Sequence, residues 1–311
     1  MRWSALSIFR PGGTALYHND LNCDSHKSCA GLRTGNTFFC DMISMKLDGL
    51  LQTPPTPQRL AQLTELGLRF GAKGTHTSRT MMLKELTLIF EVCPPDTKRE
   101  HYAEAVLDQN CLGKRTVANR KLSLQHLREL YGLNPALLLF RALRRQWELD
   151  HTGRPLLALL AALARDPLLR LTVPPILCLR PGQELSRQRL TAAIRAGVAE
   201  RLNESTLDKV VRNTASSWTQ SGHLSGRGRK IRQQVRPTPI VTTYALLLGY
   251  LLGLRGPGLF ESLWAQVLDS PTNELIAQAL DARRLGLLDC SQSGGIIDVS
   301  FARTLTDDER Q

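Results

Sequence analysis

The chain has 311 residues, 42% of them apolar and 5% aromatic, and 40 Lys and Arg against 28 Asp and Glu give a formal net charge of +12. That length and apolar content support two or three packed domains and exclude a chain too polar to bury a core. Abundant leucine with few aromatic residues favours helix over sheet, and the positive balance points to a polyanionic partner: DNA, RNA or an anionic membrane surface.

Residues 1–56 read as an irregular N-terminal arm, with PGG, NDLN, scattered cysteines and a proline break at QTPPTP (52–57). Met42 and Met45 offer alternative starts, so residues 1–41 are expected to contribute little to the fold. Residues 57–134 form a first helix-turn-helix-like module. Its helices are predicted at 57–69, 79–92, 98–110 and 116–132; Thr116 is positioned to cap the last and Gly132 to stop it. A helical middle, 135–180, holds PALLLFRALRRQWELD (135–150), a leucine- and alanine-rich helix at 154–166 and a short helix near 167–173.

A second, basic winged-helix-like module is expected over 181–238. LCLRPGQELS (177–186) reads as a loop, Ser186 precedes an amphipathic helix at 187–203, and Ser205 or Thr206 can cap the next. On that helix Leu207, Val210, Val211, Thr214 and Trp218 share one face. HLSGRGRKIRQQVRPTP (223–239) then suits a glycine-rich turn with a basic β-ribbon, or a mobile basic loop. A C-terminal winged-helix-like module and polar tail fill 239–311. Helices are predicted at 241–253, 257–268 and 272–284, and the strands LGLLDC and GIIDVSF flank SQSGG. The expected fold is therefore mostly α, with multiple winged-helix or helix-turn-helix-like modules around a helical middle.

The charge is concentrated. Segment 112–145 carries eight Lys and Arg with Glu129 as its acid, and segment 201–236 carries eight with Glu204 and Asp208. Both fall where such a module places its second helix and wing. The candidate nucleic-acid-binding residues are Lys114, Arg115, Asn119, Arg120, Lys121, Lys209, Arg212, Asn213, Ser216, Arg227, Arg229, Lys230 and Arg232. Lys and Arg neutralise phosphates and release counterions, Arg can read guanine with its planar fork, and Asn and Ser suit phosphates or base edges. The glycines of SGRGR let the backbone come close to a groove.

AEAVLDQNCLGKRTVANRKLSLQHLREL, with Asn110, Leu112, Lys114, Arg115 and Thr116 before a basic helix, resembles the BrxA family of bacterial BREX phage-defence systems. STLDKVVRNTASSWTQSGHLSGRG resembles that family's Ser/Thr-rich helix and glycine-containing turn, and the likeness covers roughly 60–235. It implies an all-helical protein with winged-helix-like modules that binds double-stranded DNA as part of a defence operon, with other BREX proteins as further partners. It implies no catalytic activity. The first 45–55 residues and the module at 237–306 depart from the family pattern.

The seven cysteines, at 23, 29, 40, 93, 111, 178 and 290, are odd in number and irregular in spacing, which predicts reduced thiols in a cytoplasmic protein. Cys23, Cys29 and Cys40, with His18 and His26, are spaced too widely for paired zinc ligands. LLALLAALA (156–164) and YALLLGYLLGL (244–254) fall short of the roughly 20 residues a bilayer requires, so no membrane contact is predicted. Phosphate-loop, GxSxG and HExxH patterns are absent, GAKGTHTS (71–78) has the wrong glycine spacing, and the acids are scattered. These features predict a protein that is not an enzyme and uses no cofactor. His223, near Ser221 and Ser225, reads as a turn residue or a phosphate contact. The alternative is an adaptor that assembles a defence complex through protein contacts.

Overall fold

The computed structural model describes residues 56–198, 201–302 and 304–305, so residues 1–55 of the N-terminal arm, with its cysteines and histidines, and the end of the polar tail lie outside the described residues. Pro57–Glu65 forms α1, with Pro57 in its first turn and the Thr56 hydroxyl accepting from the Arg59 N–H. A 3₁₀ turn at Thr75–Thr77 precedes α2 (Leu83–Val92), α3 (Arg99–Leu107) and α4 (Val117–Tyr131). Thr116 caps α4 by accepting from Asn119 N–H, and Gly132 ends it with φ +89°, both as the sequence predicts. The second predicted helix starts later than expected, because Met82 is left-handed with φ +54°.

The middle of the protein is built on two helices that are apolar on every side. In α6 (Arg154–Arg165) every residue from Leu156 to Ala164 is buried. A helix with no polar face must be covered all round. Against it pack α4, α5 (Leu138–Leu149) and the second such helix, α11 (Pro239–Leu251), whose residues Val241–Gly249 are buried. Short α7 (Pro167–Arg170) and α8 (Val173–Leu177) follow α6, the latter in a stretch where sequence alone shows no separate helix. One continuous core of buried side chains runs from Leu63 to Leu305.

Next come α9 (Arg187–Val198) and α10 (Glu204–Gln220), which pack together, then an antiparallel pair, β1 (Leu224–Ser225) and β2 (Ile231–Arg232). Its turn needs glycine: Gly226 has φ +92°, and an added Cβ would meet the Arg229 carbonyl. The expected loop at 177–186 is present, beginning after Leu177, the last residue of α8. Gly182 N–H donates to Arg232 O, Arg232 N–H to Gln183 O and Leu185 N–H to Lys230 O, which holds the loop against β2 through one isolated bridge, Glu184 to Ile231.

After α11 the predicted helix at 257–268 is two short ones, α12 (Pro257–Phe260) and α13 (Leu263–Gln266), followed by α14 (Thr272–Arg284). The hairpin is β3 (Asp289–Ser293) with β4 (Ile296–Ser300), closed by Gly294 and Gly295, both at positive φ as a two-residue turn requires. The residues before Asp289 are not strand, because Leu285 caps α14 and Leu287 and Leu288 are buried behind it. Cys93, Cys111 and Cys290 are free thiols, but Cys178 is disulfide-bonded. The expectation of reduced thiols therefore holds at these three described positions and not at Cys178. Among the described residues no helix is long and apolar enough to cross a membrane.

Candidate nucleic-acid interface

Helix α10 owes its start to Asn203, whose Oδ1 accepts from Thr206 N–H at 2.8 Å, so the cap lies just before the predicted Ser205 or Thr206. Leu207, Val210, Val211, Thr214 and Trp218 are buried as the periodicity requires, and the Trp218 indole donates to Thr172 Oγ1 at 2.7 Å. Burying that face leaves Lys209, Arg212, Asn213 and Ser216, spaced three, one and three residues apart, as a stripe on the other side. Lys209 and Arg212 are exposed, while Asn213 and Ser216 are half-buried.

This stripe borders a cleft of about 880 Å³ between α9, α10 and the β1–β2 hairpin. Arg212, Asn213, Ser216, Arg227 and Lys230 line it, together with Ser186, Arg187 and Gln188 at the start of α9. The lining carboxylate is Glu184, and Arg229 holds it with two hydrogen bonds at 2.9 and 2.6 Å, which keep it below the usual carboxylate range. Asp208 pairs with Arg187 and, at 3.2 Å, with Arg212. Such exposed pairs contribute only about 0–1 kcal/mol, so a phosphate can replace the carboxylate at little cost. Lys230 Nζ donates to Gly226 O at 2.7 Å, which steadies the hairpin turn.

Arg232 requires correction. It sits in the expected hairpin, but it is 3% exposed and its guanidinium pairs with Asp269 at 2.5 Å. It also donates to the carbonyls of Ile176 and Gln233. Its strand neighbour Ile231 has the opposite orientation, and strand alternation turns Arg232 inward. The predicted phosphate contact of His223 is corrected, though the residue lies in the turn after α10, as its other reading has it. It is fully buried, with Ser221 Oγ at 2.9 Å from Nδ1 and Val267 O at 2.8 Å from Nε2, so it contacts no phosphate.

The second predicted patch divides. At the start of α4, Arg115, Asn119 and Lys121 are exposed. Lys114 is tied to Glu85 at 2.9 Å, and Arg120 turns back to donate to Leu107 O at 2.7 Å. These bonds fix the connection between α3 and α4 and reduce what the patch presents.

The sequence did not point to Ser186, Arg187 and Gln188, because their part in the cleft depends on how α9 crosses α10. It also did not point to a buried chain of Ser217, His76 and Asp166. Ser217 Oγ and Asp166 Oδ2 each lie 2.8 Å from a ring nitrogen of His76, and none of the three side chains is more than 1% exposed. Burial pushes the Asp166 carboxyl up, but the charge and hydrogen bonds of His76 and the N–H groups of Leu169 and His76 outweigh it and hold the carboxyl low. Ser217 Oγ also accepts from Met81 N–H at 2.8 Å and bonds Asn213 O at 3.0 Å. Ser217 is fully buried. The chain pins α10 to the 3₁₀ turn and to the junction of α6 and α7, as does Asn213 Nδ2 donating to His76 O. Among the described residues no three His, Cys, Asp or Glu side chains gather where they could hold a metal ion.

No family model matches the chain, and no curated protein matches it in sequence.

Proposed function

We propose that this protein is a non-catalytic DNA-binding component of a BREX-type anti-phage system, and that α9, α10 and the β1–β2 hairpin act as a winged helix on duplex DNA. The observation that carries this reading is the cleft beside α10, where Arg187, Arg212, Arg227 and Lys230 face a single lining carboxylate already held by Arg229. The succession of α9, α10 and the β1–β2 hairpin supports this reading, with α10 as the helix for the major groove. Arg227, at the exposed hairpin turn, suits a phosphate or the minor groove. The assignment to a defence system rests on the sequence resemblance.

The test is duplex affinity against salt for the wild type and for Arg212→Ala/Arg227→Ala. Each phosphate contact contributes a slope of about −0.9, so the double variant should lose roughly two from the slope. A folded variant with the wild-type slope would overturn this reading. A second reading, an adaptor that docks on protein, is favoured by the C-terminal hairpin, where Ile296 is 73% exposed. Absence of wild-type DNA binding at low salt, with partner capture lost in Ile296→Asp, would select it.

A further inference from the structure

A second recess, of about 510 Å³, opens among α3, α4, α6 and the segment that follows α1. Arg69, Lys121, Arg128 and Arg165 line it, with one carboxylate, Glu129. That carboxylate is committed elsewhere: it accepts from the Thr75 hydroxyl at 2.9 Å and the Gln125 amide at 3.1 Å, and His126 Nδ1 lies at 3.3 Å. The arginines meet backbone oxygens instead. Arg69 donates to Glu129 O at 3.1 Å, and Arg165 donates to Glu129 O at 3.0 Å, to Arg128 O at 3.3 Å and to Gly67 O.

The Arg128 and Glu129 carbonyls lie in the last turn of α4, and capping its negative pole accounts for Arg69 and Arg165. It does not account for the other two cations. Arg128 Nε is buried without a hydrogen-bond partner, and Lys121 stands exposed at the rim. Like charges crowd the recess: burial and Arg69 bring the Arg165 guanidinium down to about 10, and burial and Arg99 lower that of Arg128. Crowded, partly desolvated cations without a carboxylate partner are stabilised by a bound anion.

We propose that this recess is a phosphate-binding site, with the fixed guanidinium of Arg165 as its back wall and Arg128 and Lys121 as the groups that engage the phosphate oxygens. Planar guanidinium groups grip phosphate in a bidentate manner, which favours it over a simple halide. The phosphate belongs to a free nucleotide or to a nucleic-acid backbone. Leu107 and Leu124 supply an apolar floor suited to the attached sugar or base. The site shares no residue with the α10 cleft and does not depend on its function.

Calorimetric titration of the full-length protein with inorganic pyrophosphate, ATP and a duplex of about 20 base pairs tests this, with Arg128→Gln and Lys121→Gln as variants. If the source is a free ligand, pyrophosphate or ATP binds and loses affinity by about tenfold in Arg128→Gln and less in Lys121→Gln. Arg227→Ala leaves that binding unchanged. If the source is backbone, the small anions do not bind, and each variant lowers the duplex salt slope by about one. Should Arg128→Gln fail to fold, Lys121→Gln decides alone, because that side chain is exposed. No small-anion binding together with wild-type duplex affinity and slope in Lys121→Gln would overturn the proposal. Loss of duplex binding in Arg212→Ala/Arg227→Ala would still leave the α10 reading intact.

Discussion

Lowering the pH below neutrality should destabilise this protein through His223 in particular. Burial brings the imidazole from 6.5 to about 4; Asp269 and the Val267 carbonyl oppose the shift, and Arg232 reinforces it. The folded state keeps His223 neutral between those two values, while the unfolded chain takes up a proton there. Stability is therefore complete above about 6.5 and falls as the pH drops to about 4. The gap is worth about 3 kcal/mol, or about 6–12 °C in Tm for a domain of this size. Asp166 and Glu129, whose carboxyls are held below their ordinary 3.8 and 4.5, act in the same sense but in a lower window: their contribution is complete above those values and is lost as the pH falls further. His223→Gln keeps a donor and an acceptor but cannot titrate. It should be less stable than wild type at pH 7, and the difference should shrink or reverse as the pH falls towards 4. Thermal unfolding of both proteins across that range is the assay. Two parallel curves would refute the argument, for they would show that His223 takes up its proton equally in the folded and unfolded states.

Further expectations follow from the buried bonds around α10. Arg232→Ala removes one side of a buried ion pair, so denaturant unfolding should show a loss of about 3–5 kcal/mol, with no change in the DNA salt slope of the protein that remains folded. A wild-type midpoint would contradict that. Ser217→Ala leaves Met81 N–H and a His76 nitrogen without their partner and should cost about 1–3 kcal/mol by the same measurement. Gly226→Ala should disrupt the β1–β2 turn, because its Cβ would collide with the Arg229 carbonyl at a positive φ. Faster hydrogen exchange at the Leu185 and Arg232 amides and weaker duplex binding are expected, and unchanged exchange would show that the turn tolerates the substitution.

Local chemistry made much of this protein legible from sequence. Thr116 and Gly132 bracket α4, and apolar spacing predicts both the buried face of α10 and the all-round burial of α6, because caps and periodicity act over a few residues. Glycines marked both hairpins, though the C-terminal strands start later than the apolar run suggests. The stripe of Lys209, Arg212, Asn213 and Ser216 was also readable, since burying Val210, Val211 and Trp218 leaves these four facing the other way.

Only the tertiary structure separated cations that face solvent from those that do structural work. Arg227 and Arg232 look alike in sequence, yet Arg227 is exposed and Arg232 is buried against Asp269, 37 positions away. Ser217, His76 and Asp166 meet across separations of 141 and 90 positions, and Arg69 and Arg165 converge on the last carbonyls of α4 from distant segments. Periodicity fixes which face of a helix is apolar, but not which distant segment covers it. A cation beside that boundary becomes a surface contact or a buried strut according to the carboxylate or carbonyl that the covering segment brings.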